Sequence, residues 1–498
     1  MTRKHVLRHR LISAFPHAAY NERIKDMHVH PAKAAPFEGA PRITAPSVFG
    51  ASPNKPFLWR VPVLGERPVS IEAEGLPEGL RLEGNAVRGF TSRRGEFPVT
   101  LRAVNAKGSG EKTVTLRLEP DGMLRTPLLG FTTWNAFQTG VTQEDVIRTG
   151  ELLVEKGIAE YGYSYVNLDS SWQGEYGGRY NAIMPCERFP DMGAMYARLH
   201  ELGLKGGIYS SPFLAPWGCP PDRESLPGCT VGEPDIRFPD RNTGIGVDRR
   251  EAENVAQWTE WGVDYLKYDW MPTDAVNADL MKRELLKAGR EIAFCVTVHA
   301  DPACWRYWVK NCCSWRSNDD TYDTWDNLYK RFSYLNRFEG RTAPGHFYDL
   351  DMLAIGAMIM NNLSCRYTPE EELTAYTLHA FFPSPVQLSM QLDRLTDYEF
   401  DLICNEELIA INQDALGDYP KLVFDEGDVK IYSRSLEDGG KAYAVFNLSE
   451  KEAEGSLELG GEYALRRVWE KEDIGVSDRL SYILSPHESA VFRLSPVK

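Results

Sequence analysis

Carboxylates recur in this chain at positions where a β/α fold would hold reactive groups. In Tyr265-Leu266-Lys267-Tyr268-Asp269-Trp270, two-residue alternation puts Tyr265, Lys267 and Asp269 on one side of a strand and Leu266 and Tyr268 on the other. An ammonium beside a carboxylate favours the charged state of both. An ionised Asp at a barrel rim then serves either as a nucleophile or as half of a structural ion pair. A second group lies in Trp315-Arg316-Ser317-Asn318-Asp319-Asp320-Thr321-Tyr322-Asp323, where Arg316 is placed to orient a substrate hydroxyl or a carboxylate. Asp169 closes another apolar run, and Asp349 and Asp351 a fourth. Acids at four strand tips exceed what surface solubility asks for, and paired carboxylates suit cleavage of a glycosidic bond. The same acids offer a metal only His346 as a nearby imidazole, so no metal and no cofactor is expected.

These side chains need strands to carry them. Apolar runs occur at 128–137, 165–169, 205–210, 263–269, 291–298, 312–317, 345–353 and 385–389, with helical patterns between them. One helix opens with Thr142 and Asp145 in capping-box spacing and ends at Gly157. Another, 191–203, lines up Met192, Met195, Leu199 and Leu202 on one face before Gly203. Eight such alternations over 121–415 predict an α/β fold, a (β/α)8 barrel, with reactive groups at the C-terminal ends of its strands. A doubly wound open sheet is the alternative, but no Gly-rich phosphate loop follows the first strand. The stretch 212–247, rich in Pro, Gly and Asp, reads as a long functional loop at the barrel mouth.

Short alternating segments flank the barrel. Over 41–120 they include Phe97, Val99, Leu101 and Ala103 alternating with Pro98, Thr100, Arg102 and Val104, and predict a small Ig-like β-sandwich without a Cys…Trp…Cys framework. Over 416–498 five further segments predict a second, C-terminal β-sandwich. Residues 1–40 read as an irregular extension, in which His28 and His30 are either a metal pair or simply solvated.

Of the 498 residues, 71 are Asp or Glu and 56 Lys or Arg, a net charge of −15 that argues against nucleic acid as a partner. Aromatics make up 11%, either a large core or platforms for the flat faces of sugars. No run approaches a membrane span, and no signal-peptide core is visible, so a cytoplasmic, membrane-free protein is expected; export by another route and a homo-oligomer stay admissible. The 9 cysteines include no C-x-x-C pair; Cys312-Cys313 reads as buried packing, and Cys219 and Cys229 could bridge across their loop.

At the residues above the chain resembles glycoside hydrolase family 27, the α-galactosidase and α-N-acetylgalactosaminidase family of clan D. LGFTTWNAF stands for the family's LGWNSWN, GYSYVNLDSSW for GYxYxxxDDCW, WGVDYLKYDW for WGVDxLKYDxC and SWRSNDDTYDTW for WRxxxDIxDxW. FPDMGAM with LGLKGGIYS, YDLDML and AINQDALG complete an ordered series of seven. The resemblance implies a retaining mechanism, with Asp269 as nucleophile and Asp320, rather than Asp319, as acid/base. Such a pair stands ~5–5.5 Å apart, and the acid needs a raised pKa while the nucleophile needs a low one, which Lys267 would supply. By the same resemblance Trp134, Asp169, Tyr209, Lys267, Arg316, Asp351 and Met352 line the sugar subsite, Trp134 offering its face to the ring.

Three departures bear on substrate. The family's Asp-Asp that grips O4 and O6 is here Asp169-Ser170, with one shorter and neutral arm. The Cys after the nucleophile is Trp270, which removes a family disulfide. The residue reading O2 corresponds to Thr297, with His299 sharing its face as a structural histidine or an O2 contact. The resemblance therefore implies an exo-acting, α-galactosidase-like hydrolase of carbohydrate. Neighbouring specificities are α-N-acetylgalactosaminidase, β-L-arabinopyranosidase or another α-glycosidase. A silent carbohydrate-binding protein on the same fold would need neither Asp269 nor Asp320, and a scaffold displaying β-modules would need no barrel.

Overall fold

The structure, a computed structural model, describes residues 33–212, 249–270 and 273–497. His28, His30, Cys219, Cys229 and nearly all of the long 212–247 loop lie outside the described residues.

Eight strands form one parallel sheet: β1 (Leu129–Thr132), β2 (Tyr165–Asn167), β3 (Lys205–Ser210), β4 (Tyr265–Asp269), β5 (Ala293–Thr297), β6 (Ser314–Trp315), β7 (Phe347–Tyr348) and β8 (Val386–Leu388). Each pairs in parallel with its sequence neighbour from β1 to β7, and β1 also pairs with β8. A parallel bridge between Leu353 and Leu388, with the Leu353 N–H donating to the Gln387 carbonyl at 2.8 Å, joins the chain beyond β7 to β8. The sheet therefore closes into the barrel that the run count predicts. The strands read as runs because both faces are covered: Leu266 and Tyr268 pack outward, while Tyr165, Tyr265, Ala293, Cys295 and Cys313 form an apolar layer inside.

Helices separate the strands. Gln143–Glu155 begins at the Thr142–Asp145 capping box and stops before Gly157, whose φ of 75° suits a residue without Cβ. Met192–Glu201 buries Met192, Met195, Tyr196 and Leu199; Tyr196 takes the core position expected of Leu202, which stays half-buried. Above the apolar layer the barrel turns polar, and there Asn167 donates to Gln387 at 2.8 Å. Gly207 makes room for this: a Cβ at that position would fall 2.1 Å from Asn167 Oδ1.

N-terminal to the barrel, a four-stranded and a three-stranded sheet share a core that includes Val61, Val87, Val99, Leu101, Ala103, Val114 and Leu116. They dock against the barrel through a buried Arg60–Glu160 ion pair at 2.5 Å and a Lys282–Asp121 pair at 2.7 Å. The C-terminal region is a six-stranded antiparallel sheet curled over its own core. Two of the five expected segments, 455–459 and 463–470, are not separate strands: the first and the start of the second belong to one long bent strand, Ala453–Arg467, whose neighbour Glu472–Leu484 is mostly exposed over its first half. Cys312 and Cys313 are buried and free.

Candidate active site

β4 ends at the barrel mouth with Lys267 and Asp269 on its inner side. The Lys267 ammonium donates to Asp169 Oδ2 at the end of β2, at 2.7 Å, rather than pairing with Asp269. It also lies 5.7 Å from the centre of the Tyr209 ring. Tyr209, from β3, donates its hydroxyl to Asp269 Oδ2 at 3.0 Å. The other oxygen, Oδ1, is buried and has no hydrogen-bond partner among the described residues.

Burial pushes the Asp269 carboxyl up to about 6; Lys267 and Arg316 pull it down, while Asp320 and Asp169 add to the rise. This reverses the expectation of a low nucleophile pKa from a lysine two residues away. Desolvation outweighs that ammonium, whose direct hydrogen bond goes to Asp169. Burial opposes the charge on Lys267, but Asp169, Asp269 and Asp351 together hold it protonated.

Arg316, buried at 2% exposure directly after β6, ties three loops together. Its Nη2 donates to Asp320 Oδ1 at 2.8 Å, its Nη1 lies 2.5 Å from Asp351 Oδ1, and its Nε donates to Thr297 Oγ1 at 2.5 Å. Asp320, with about half of its side chain exposed (51%), thus stands at the rim on a buried anchor. Burial works against the ionised Asp351, but Arg316 and Lys267 hold its carboxyl below the usual range. Asp351 also accepts the Thr321 N–H at 2.7 Å, which fixes the residue next to Asp320. Arg331 steadies the same loop from behind, bonding the Thr321 hydroxyl and the Leu350 carbonyl.

The two adjacent acids divide. Asp320 bonds Arg316, whereas Asp319 pairs with His299 Nε2 at 2.9 Å on the exposed side. Ser170 donates its N–H to Asp169 Oδ1 at 2.8 Å, and its hydroxyl is buried without a hydrogen-bond partner among the described residues. Trp134 follows β1 at the mouth and is half-buried. Lys267, Thr297, Arg316, Asp351 and Met352 line one small cavity inside the barrel. Thr132, Asp349 and Gln387 line it too. Thr132 and Gln387 were not singled out from the sequence, although a polar residue in an otherwise apolar strand run was a usable signal for both.

Among the described residues, no group of three His, Cys, Asp and Glu side chains is arranged to hold a metal, and no helix is long and apolar enough to cross a membrane.

The chain is also similar to known proteins. A family model described as alpha galactosidase A matches residues 244–414, and one for the alpha galactosidase C-terminal beta sandwich domain matches 426–494. Alpha-galactosidase 2 of Arabidopsis thaliana is 28% identical over 392 residues, covering 75% of this chain and 91% of that one. Alpha-galactosidase A of Cellvibrio japonicus is 27% identical over 410 residues, covering 75% and 93%. A crystal structure from Bacteroides fragilis, provisionally assigned as an alpha-galactosidase/melibiase, superposes with a TM-score of 0.82 at 27% identity over 93% of this chain and 99% of its own.

Proposed function

We propose that this chain, a glycoside hydrolase whose matched domains and relatives support membership of family 27, is a retaining exo-glycosidase acting on terminal α-galactoside-like residues. The observation that carries the reading is Asp269: a buried carboxylate with one oxygen held by Tyr209 and the other unengaged, beside an acid anchored on Arg316. A binding protein has no use for a carboxylate kept partly desolvated in this way.

In this reading Asp320 donates its proton to the glycosidic oxygen as the aglycone leaves. Asp269 Oδ1 attacks the anomeric carbon, forming a glycosyl ester. Asp320, now a carboxylate, takes a proton from water, whose oxygen then attacks the same carbon and releases Asp269. Tyr209 leaves Oδ1 as the attacking atom by occupying Oδ2, and Lys267 and Arg316 counter the burial of its charge. Asp169 and Lys267 read sugar hydroxyls as a charged pair, with Asp351, Thr297 and Met352 along the same wall and Trp134 against the ring face.

Ser170 favours a second reading within the class. Where a second carboxylate would bind a sugar hydroxyl strongly, this chain presents a buried neutral hydroxyl, so a sugar with a shorter or absent O6 arm loses less here. The experiment is hydrolysis of a panel of aryl α- and β-glycosides by the wild type, Asp269→Asn and Asp320→Asn. The reading expects one α-galactoside-like substrate to dominate and both variants to lose most activity on it. Undiminished hydrolysis by Asp269→Asn would remove the nucleophile assignment, and sugar binding without any hydrolysis by the wild type would favour the lectin.

A further inference from the structure

A second cavity lies at the opposite end of the barrel from Asp269, where β1, β2 and β3 begin and the N-terminal sheets dock. It is a narrow cavity of about 80 Å³, room for several waters or one small flat molecule, and it opens to solvent. Its wall is apolar and aromatic: Phe49 and Trp59 stack at 4.8 Å between ring centres with 25° between planes, and Tyr165 stands opposite. Three cations line it, Arg60, Arg125 and Lys205, and no Asp or Glu does among the described residues. In a chain with 71 acids and a net charge of −15, that one-sided wall is not what composition supplies.

The three cations differ in what neutralises them. Arg60 is bound by Glu160 at 2.5 Å, and Arg125 lies 3.6 Å from Glu119. Lys205 has no carboxylate within 4.0 Å among the described residues; its ammonium sits 5.8 Å from the Phe49 ring centre and 5.5 Å from that of Tyr165. The Tyr165 hydroxyl supports its charge, and the acids acting on it, Glu291 and Asp264, are engaged elsewhere, Glu291 by the Ser52 N–H at 2.6 Å and Asp264 by Arg290 at 2.6 Å. A half-buried ammonium between two ring faces, with donors to spare and a flat apolar wall beside it, is a receptor for an anion carried on a planar body.

We propose that this interdomain cavity binds a small aryl monocarboxylate, its carboxylate on Lys205 with Arg125 in support and its ring against Phe49 and Trp59. The site is separate from the glycoside-binding end, because Lys205 opens β3 and Tyr209 lies near its other end.

The test is isothermal titration of the full chain with benzoate, its neutral isostere benzamide, and inorganic phosphate. Benzoate is expected to saturate at one equivalent, with benzamide and phosphate at least about tenfold weaker, which is about 1.4 kcal/mol. Lys205→Met is expected to weaken benzoate at least about tenfold while hydrolysing aryl glycosides as the wild type does, and Asp269→Asn to bind benzoate unchanged. Far-UV circular dichroism checks the fold of Lys205→Met, and Arg125→Gln, expected to give a smaller loss, decides if that variant misfolds. No saturation at roughly millimolar benzoate, equal binding of benzamide or phosphate, or displacement of benzoate by galactose would each overturn the proposal. So would benzoate binding unchanged in both cavity variants.

Discussion

Lys267 donates to Asp169 across the barrel mouth at 2.7 Å, although Asp269 is its neighbour two residues along the same strand. One charge is thereby committed to Asp169, and the carboxylate proposed as nucleophile rises to about 6 through burial. The balance between these two acids sets the first expectation.

The active form of Asp269 is ionised. Its raised pKa moves the acidic limb of the pH profile upward, so kcat/KM is expected to fall on acidification with an apparent pKa near 6. Steady-state rates on an aryl glycoside between about pH 4 and 8 measure it; a limb near the ordinary carboxylate value of 3.8 would mean that Lys267 dominates after all.

The same shift makes a stability prediction of opposite sign to its functional value. Folding lifts the Asp269 pKa from 3.8 to about 6, so the folded chain holds this proton more tightly than the unfolded chain does. The resulting contribution is fully present below 3.8 and is lost as pH rises through 6. Asp269→Asn, neutral throughout, is expected to be more stable than the wild type at about pH 7.5, by on the order of 2 kcal/mol, and to lose that advantage at about pH 3.5. Thermal midpoints of both proteins at the two pH values check it.

Lys267→Met leaves Asp169 as a buried carboxylate without its partner. A loss of about 3–5 kcal/mol follows from breaking a buried pair at one end, together with weaker sugar binding. Denaturant unfolding gives the first quantity. A rise in KM larger than the fall in kcat gives the second.

Asp320→Asn removes proton donation to the leaving group, so its effect depends on whether that group needs a proton. Substrates with poor alkyl leaving groups are expected to lose about 10²–10⁴-fold, and those with acidic phenols much less, because phenolate departs unaided. Comparing kcat/KM over a series of aglycones tests this. Equal losses across the series would place Asp320 outside the proton transfer.

How far the sequence could be read follows the range of the forces involved. The barrel strands were legible because burial on both faces leaves uninterrupted apolar runs, and the Thr142 cap because its partner Asp145 is three residues away. The strand Glu472–Leu484 escaped although Ile474, Val476, Leu480, Tyr482 and Leu484 stand at alternate positions, because Asp478 interrupts the series and Ile474 and Val476 face solvent. Lys267 was read against Asp269 because alternation along one strand is visible in the sequence. Its actual partner is 98 residues away and becomes adjacent only when β2 and β4 close around the barrel. The raised Asp269 pKa was equally out of reach, since desolvation belongs to the packed site and not to any neighbour in the chain. The Arg316 anchor was recognised in kind, but its simultaneous hold on Asp320, Asp351 and Thr297 needs three loops brought to one point.

Retention through Asp269 is the central claim, and the anomer first released in hydrolysis tests it most directly. Proton NMR of an aryl α-galactoside, or of the best α-glycoside in the panel, followed before mutarotation, is expected to show the α-anomer of the free sugar appearing first. Initial appearance of the β-anomer would contradict the account, because a single displacement by water leaves Asp269 no covalent role.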